Sequence, residues 1–289
     1  MININIIWLC GFDIRKCIND IKEIKSFKNL YKSKIKINFI ILDRRKQFKK
    51  KIIEEDLTSY KIFHSSLEKS HQSDYLNVLS KCKSDYIISI SDDDKLLPKQ
   101  FCRYLLKIPD HLDSKVIISV PKENHLLIKN YGKLKPNKKY KYWQYQKMRG
   151  PNLAYYSAIS SESIYIACKK FIKHENLLWR HPMHDQCFIW SVLNNGKDSI
   201  LSVDGEYLLY DNSNWQNKKS SKNTIKNFNL ENKTTESLAL FDIFRIYSKR
   251  RFNLEVLRWI FYLLKRSIFF YKNPLMTIKN IFLFINIFK

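Results

Sequence analysis

The sequence predicts an α/β protein with a mostly parallel central sheet and flanking helices. Three observations carry that reading. Strand-length apolar runs rich in β-branched residues alternate with segments of helical periodicity over residues 1–120. An apolar fraction of 45% in 289 residues supplies a sizeable core and excludes a disordered chain. Two of the apolar runs end on aspartates, and the carboxyl ends of strands are where open α/β sheets bind ligands.

In chain order, residues 2–10 (I-N-I-N-I-I-W-L-C) form the first strand, with no basic start and too few residues for the apolar part of a signal peptide. Residues 15–31 form a helix with Cys17, Ile18, Ile21, Ile24 and Leu30 on its apolar side. Residues 36–42 are the second strand, ending at Asp43. A basic amphipathic segment over 47–57 leads to a short strand near 60–63 and a helix around 74–83. Strand 86–91 follows, and strand 115–120 continues the sheet. Residues 122–150 are basic and tyrosine-rich with few periodic apolar positions, which reads as a long loop region at a mouth rather than core. Residues 153–171 read as a strand followed by a strand or helix, 185–195 as a helix stopped by Gly196, and 197–210 as a strand pair. The polar, Asn/Lys-rich stretch 213–235 is a linker between a main domain, 1–212, and a helical tail, 236–289.

The stretch 85–98, D-Y-I-I-S-I-S-D-D-D-K-L-L-P, carries the most chemistry. A buried strand runs straight into Asp92, Asp93 and Asp94, and Pro98 stops it. Adjacent acids repel one another, so a fold that gathers them at a strand end needs an offsetting charge. A hard divalent cation with oxygen ligands supplies it, and Mg²⁺ is typically held by one or two carboxylates plus substrate phosphates. The plainer alternative is a solvated acidic turn capping the next helix. In a chain this basic, after a strand this apolar, the cation is the stronger reading.

The net charge of +25 reflects a lysine excess spread along the whole chain. A uniform lysine excess is weak evidence for nucleic-acid binding, for which a local basic patch with interleaved aromatics would count. Six scattered cysteines without a C-x-x-C pair fit reduced, buried thiols in a cytoplasmic protein, not a disulfide framework or zinc site.

Four stretches in this order resemble the family 2 glycosyltransferases of the GT-A fold. I-I-W-L-C-G-F-D-I-R is similar to that family's opening strand and nucleotide-contacting turn, and I-N-F-I-I-L-D to its next strand. S-D-Y-L-N-V-L-S-K-C-K-S-D-Y-I-I-S-I-S-D-D-D-K-L-L-P resembles its helix followed by a D-x-D metal motif. W-R-H-P-M-H-D-Q-C-F-I-W-S-V-L-N-N-G-K looks like its E-D dipeptide opening a helix that ends in glycine. The resemblance covers about residues 1–212 and implies a Rossmann-like GT-A fold, with 1–120 binding the nucleotide sugar and 121–212 the acceptor. It implies that Asp13 lies near the base, that Asp43 reads the uracil, and that Asn77 and Asp92 contact the donor. It further implies that Asp93 and Asp94 hold Mn²⁺ or Mg²⁺ on the diphosphate and that Asp185 is the general base. Three positions depart from the family pattern. Ser91 stands at the usual first aspartate, although Asp92-x-Asp94 is a literal D-x-D, so the metal ligand among the three acids stays open. His184 replaces the glutamate before Asp185, and Asp13 stands where asparagine is commoner.

Around these residues the signals are weaker. His181 and His184 are three apart with no third ligand evident, and line a site at best. His64 and His71 read as surface or loop residues. Tyr142, Trp143 and Tyr145 could stack on an acceptor sugar, but ordinary packing is the stronger reading. From 245 to 289 there are ten basic residues against one acid, Glu255, with Trp259, Phe261 and Phe269 among the apolar ones. That pattern describes a helix lying in the interface of an anionic membrane; a hairpin packed on the main domain is the alternative.

The expectation is therefore a metal-dependent, inverting glycosyltransferase, peripheral on the inner face of the cytoplasmic membrane. It would move a sugar from a nucleotide-sugar donor, a UDP-sugar by preference, to a saccharide or lipid-linked glycan in surface polysaccharide or lipo-oligosaccharide synthesis. A nucleotidyltransferase is the second reading, though it would show a Gly-rich phosphate loop where Cys10-Gly11-Phe12-Asp13 has one glycine. A basic nucleic-acid-binding protein is the third, and it leaves the acidic triplet unexplained.

Overall fold

The computed structural model describes residues 1–44, 60–65, 71–92, 94–120, 134–142, 144–145, 156–172, 188–189, 191–193, 198–205 and 207–209. The elements run β1 (Ile2–Cys10), α1 (Ile14–Ser26), α2 (Lys28–Tyr31), β2 (Ile35–Asp43), β3 (Lys61–His64), α3 (His71–Lys81) and β4 (Tyr86–Ser91). They continue β5 (Lys95–Leu96), α4 (Pro98–Leu105), a 3-10 turn (Ile108–His111), β6 (Val116–Val120), β7 (Lys138–Lys141), β8 (Ala158–Ser160), α5 (Ser161–Ile172), β9 (Ser199–Asp204) and β10 (Leu208–Leu209).

The fold is α/β. One sheet has the order β3-β2-β1-β4-β8-β6-β9-β7, and β5 pairs with β10 in a small second sheet. β1 pairs in parallel with both β2 and β4, β2 with β3, and β6 with β9; β8 and the edge strand β7 run antiparallel. The chain thus builds outward from β1 through β2 and β3, then returns to the other side of β1 as β4. This is the Rossmann-like order, and it places a switch point between β1 and β4.

Strands buried on both faces read as near-continuous apolar runs, which is why β1, β2 and β4 are legible. Alternate residues serve opposite faces. Ile4, Ile6 and Trp8 pack with Ile14, Cys17, Ile18, Ile21 and Ile24 of α1 and with Phe101 and Leu105 of α4. Ile7, Ile40, Leu42 and Ile87 pack on the other face with Tyr75 and Val78 of α3 and Ile164 and Cys168 of α5. Each fully buried isoleucine contributes about 1.5–3 kcal/mol. The buried Asn5 is satisfied: its Nδ2 donates to the Cys82 carbonyl at 2.7 Å and its Oδ1 accepts from Asn38 at 2.8 Å.

Four expectations need correction. The helix over 15–31 is two helices, because the chain turns at Phe27, whose N–H bonds the Ile24 and Lys25 carbonyls in a C-cap. Residues 122–150 are not simply a loop: β7 pairs with β9 as a sheet edge, and Tyr140, Tyr142 and Tyr145 are buried in the core. Residues 197–210 hold two strands that belong to different sheets instead of pairing with each other. The helix expected around 74–83 starts at His71. The segment 47–57, the linker 213–235 and the tail 236–289 lie outside the described residues. Among the described residues no helix is long and apolar enough to cross a membrane.

Candidate active site

The carboxyl ends of β3, β2, β1 and β4 lie side by side, with Asp43 in register with His64 on one side and with Cys10 on the other. Leu9 is in register with Ser91, so the acidic triplet leaves β4 directly beside the β1–α1 turn. The switch point and the acids coincide.

Asp92 ties this junction together. Its Oδ2 accepts hydrogen bonds from the backbone N–H groups of Gly11 at 3.0 Å, Phe12 at 2.6 Å and Asp13 at 2.8 Å. Successive N–H groups turned onto one anion form a nest, and bonds to an ionised oxygen are the stronger kind. The positive end of α1 adds to the effect. Asp13 caps that helix, its Oδ1 accepting from the Arg15 N–H at 2.9 Å. Lys16, from the first turn of α1, donates its ammonium to the Asp92 carbonyl at 2.8 Å and to the Asp94 carbonyl. Part of the charge that the acids demand therefore comes from within the chain, from a lysine and three amides. The sequence reasoning missed Lys16, one of 52 basic residues with no distinguishing signal.

The other expected site residues fall differently. Asp94 is 1% exposed on the acidic turn, its N–H bonded to the Ser91 carbonyl at 3.3 Å. Asp43 is buried, with His64 Nδ1 3.6 Å from its Oδ2. The Asp43 carbonyl accepts from the Ser65 N–H, and the Ser65 hydroxyl donates to Asp74 at 2.7 Å. Asn77 is exposed on α3. Tyr142 and Tyr145 are buried, so their rings offer no face to a sugar. Asp93, Trp143, His181, His184 and Asp185 lie outside the described residues. Phe188, three positions after Asp185, packs on Tyr75 of α3 with ring centroids 6.1 Å apart.

Two further features were not legible. Phe12 is 68% exposed, although its backbone is fixed by the Asp92 carboxylate, so a rigid turn presents an aromatic face beside the switch point. Cys10, Cys17 and Asp92 bring their ligand atoms within 4.8 Å of one another. A hydrogen bond with Cys10, then burial and nearby negative charge, push the Cys17 thiol far above its usual range. The Cys17 sulfur is a protonated packing group, and the five described cysteines are all free and buried. For a hard cation the fit is narrower than the triplet implied: Asp92 Oδ2 is committed to backbone, leaving Asp92 Oδ1 and Asp94 as the described oxygen ligands for a site completed by substrate phosphates.

No protein-family model matches the chain, and no curated protein matches it. Solved structures are similar in fold. Residues 1–349 of TarS from S. aureus align with a TM-score of 0.48 at 12% identity, over 83% of this chain and 65% of that one. The same TarS segment in complex with UDP-GlcNAc gives 0.43 at 11% identity, over 83% and 66%. A 4-diphosphocytidyl-2C-methyl-D-erythritol synthase from Anaerococcus prevotii gives 0.41 at 14% identity, over 71% and 90%. This chain spans 40% of the longer TarS structure. At such identities the likeness is one of chain course and says nothing of chemistry.

Proposed function

We propose that this chain is a nucleotide-sugar-dependent glycosyltransferase that transfers a sugar with inversion to a saccharide or lipid-linked glycan. The supporting observation is the acidic turn at the switch point, with Asp92 filling the backbone nest after β1. A donor diphosphate then finds no free helix N-terminus there. It calls instead for a divalent cation on the neighbouring acids, Asp94 and, outside the described residues, Asp93. The same observation disfavours a nucleotidyltransferase, whose triphosphate would rest on the amides of the loop after the first strand. Asp43 at the end of β2 and the exposed ring of Phe12 suit a nucleobase, by hydrogen bonding and stacking respectively.

The chemistry divides simply. The acceptor hydroxyl oxygen bonds to the anomeric carbon while the bond from that carbon to the diphosphate oxygen breaks. Asp185 takes the hydroxyl proton onto its carboxylate. When bound, Mg²⁺ or Mn²⁺ supplies charge neutralisation on the diphosphate.

Isothermal titration of UDP, GDP and CDP, each with and without Mn²⁺, tests the reading. UDP should bind, and Mn²⁺ should tighten it. If no nucleoside diphosphate binds under either condition, the reading is lost. Asp94→Asn should abolish transfer while the chain stays folded, since an amide keeps the shape of a carboxylate but not the charge a hard cation needs. Near-native turnover at saturating metal would remove Asp94 from the ligand set.

The reading extends to the tail, which would hold the enzyme on the inner face of the cytoplasmic membrane. Each Lys or Arg near an anionic surface contributes about 1 kcal/mol, screened by salt. Removing residues 245–289 should abolish co-sedimentation with anionic vesicles and leave UDP binding intact. Equal, negligible pelleting of the intact chain with anionic and neutral vesicles would show that the tail packs on the main domain.

A further inference from the structure

Gln72 is completely buried, and among the described residues neither its amide oxygen nor its amide nitrogen has a hydrogen-bond partner. A primary amide carries an acceptor oxygen and two N–H donors. Burying all of them unsatisfied works against folding, so such a group asks for a reason.

Its place in the fold offers one. Positions 72, 75, 76 and 79 share one face of α3, and Leu76 and Leu79 pack on the core. On that face the Tyr75 hydroxyl shares a 2.8 Å hydrogen bond with Ser89 of β4. The first turn of α3 lies at the carboxyl edge of the sheet, where Ser65 bonds both Asp43 and Asp74. Gln72 is three helical residues, about 4.5 Å, nearer that edge than Tyr75. Ser91 is two strand residues, about 6.6 Å, nearer it than Ser89. Gln72 therefore lies toward the end of β4, on the side of the acidic turn.

We propose that Gln72 binds a vicinal diol of the donor, either that of the ribose or that of the transferred sugar. This rests on the glycosyltransferase reading above. With both ends of the amide unpartnered, its ligand must both donate and accept. Phosphate oxygens at neutral pH chiefly accept and would leave the amide oxygen orphaned. Two neighbouring hydroxyls satisfy both ends and carry no charge into a buried site.

A buried amide kept for a ligand and one that is merely tolerated respond in opposite ways to an apolar replacement. Gln72→Leu in the full chain should raise the melting temperature, since it removes unsatisfied polar atoms. The same change should weaken donor binding about tenfold, the effect of losing a pair of hydrogen bonds. The probes are UDP, 2′-deoxy-UDP and UDP-glucose, titrated with Mn²⁺ into the unaltered chain and the variant. Weakening of UDP and UDP-glucose alike, with 2′-deoxy-UDP binding both proteins equally, assigns the ribose. Weakening confined to UDP-glucose assigns the transferred sugar. Should Gln72→Leu fail to fold, Gln72→Met, which keeps the unbranched shape, takes its place. Unchanged affinity for all three ligands overturns the proposal while leaving the enzymatic reading standing. Absence of binding by the unaltered chain overturns both.

Discussion

Replacing Asp92 with alanine should destabilise the chain by about 3–5 kcal/mol, because three N–H groups lose the one ionised oxygen they share. Domains are stable by only about 5–15 kcal/mol, so the variant should sit close to its unfolding threshold. Asp92→Asn retains a carbonyl acceptor without the charge and should fall between the two. Urea denaturation at neutral pH reads all three proteins. A loss below about 1 kcal/mol for the alanine variant would mean that water replaces the carboxylate at low cost and that the nest is not what holds the turn. The contrast with Asp94→Asn is informative: one acid of the triplet should register in stability and its neighbour in turnover.

Asp185→Asn should lower kcat by roughly 10²–10⁴, the usual range for losing a general base, with nucleotide affinity nearly unchanged. Steady-state rates and titration of UDP on the same preparation make the test. If affinity and turnover fall together, Asp185 is a donor contact. Asparagine remains an acceptable helix cap, so a purely structural role would leave both quantities close to native.

The half of the fold built from β1, β2 and β4 was legible because buried parallel strands are unbroken apolar runs, and their ends were placed to within a residue. β5 and β7 were not legible. A two-residue strand has no pattern, and K-K-Y-K shows only one apolar residue because β7 is an edge strand with one covered side. The burial of Tyr142 and Tyr145 is decided by partners such as Phe188 and Ile200 that are distant in sequence. At the site, the sequence located the acids but not their division of labour. A run of three aspartates looks chemically uniform, and what separates Asp92 from Asp94 is a set of backbone donors on another strand's turn. Lys16 and Gln72 belong to residue types that are commonplace on helices, and only their surroundings distinguish them.

The bonds from residues 11–13 to Asp92 span 79 to 81 positions of sequence. Long-range closures of this kind cost chain entropy before they return any enthalpy, and they form late. Until β4 docks against β1, the turn after the first strand exposes three unpaired N–H groups at the start of a helix. During synthesis, at about 5–20 residues per second, that interval lasts several seconds. A fragment stopping short of residue 92 would keep those donors open to any phosphate in its surroundings. The longer chain fills the same place with its own side chain, and so the order in which its parts arrive decides what that turn can hold.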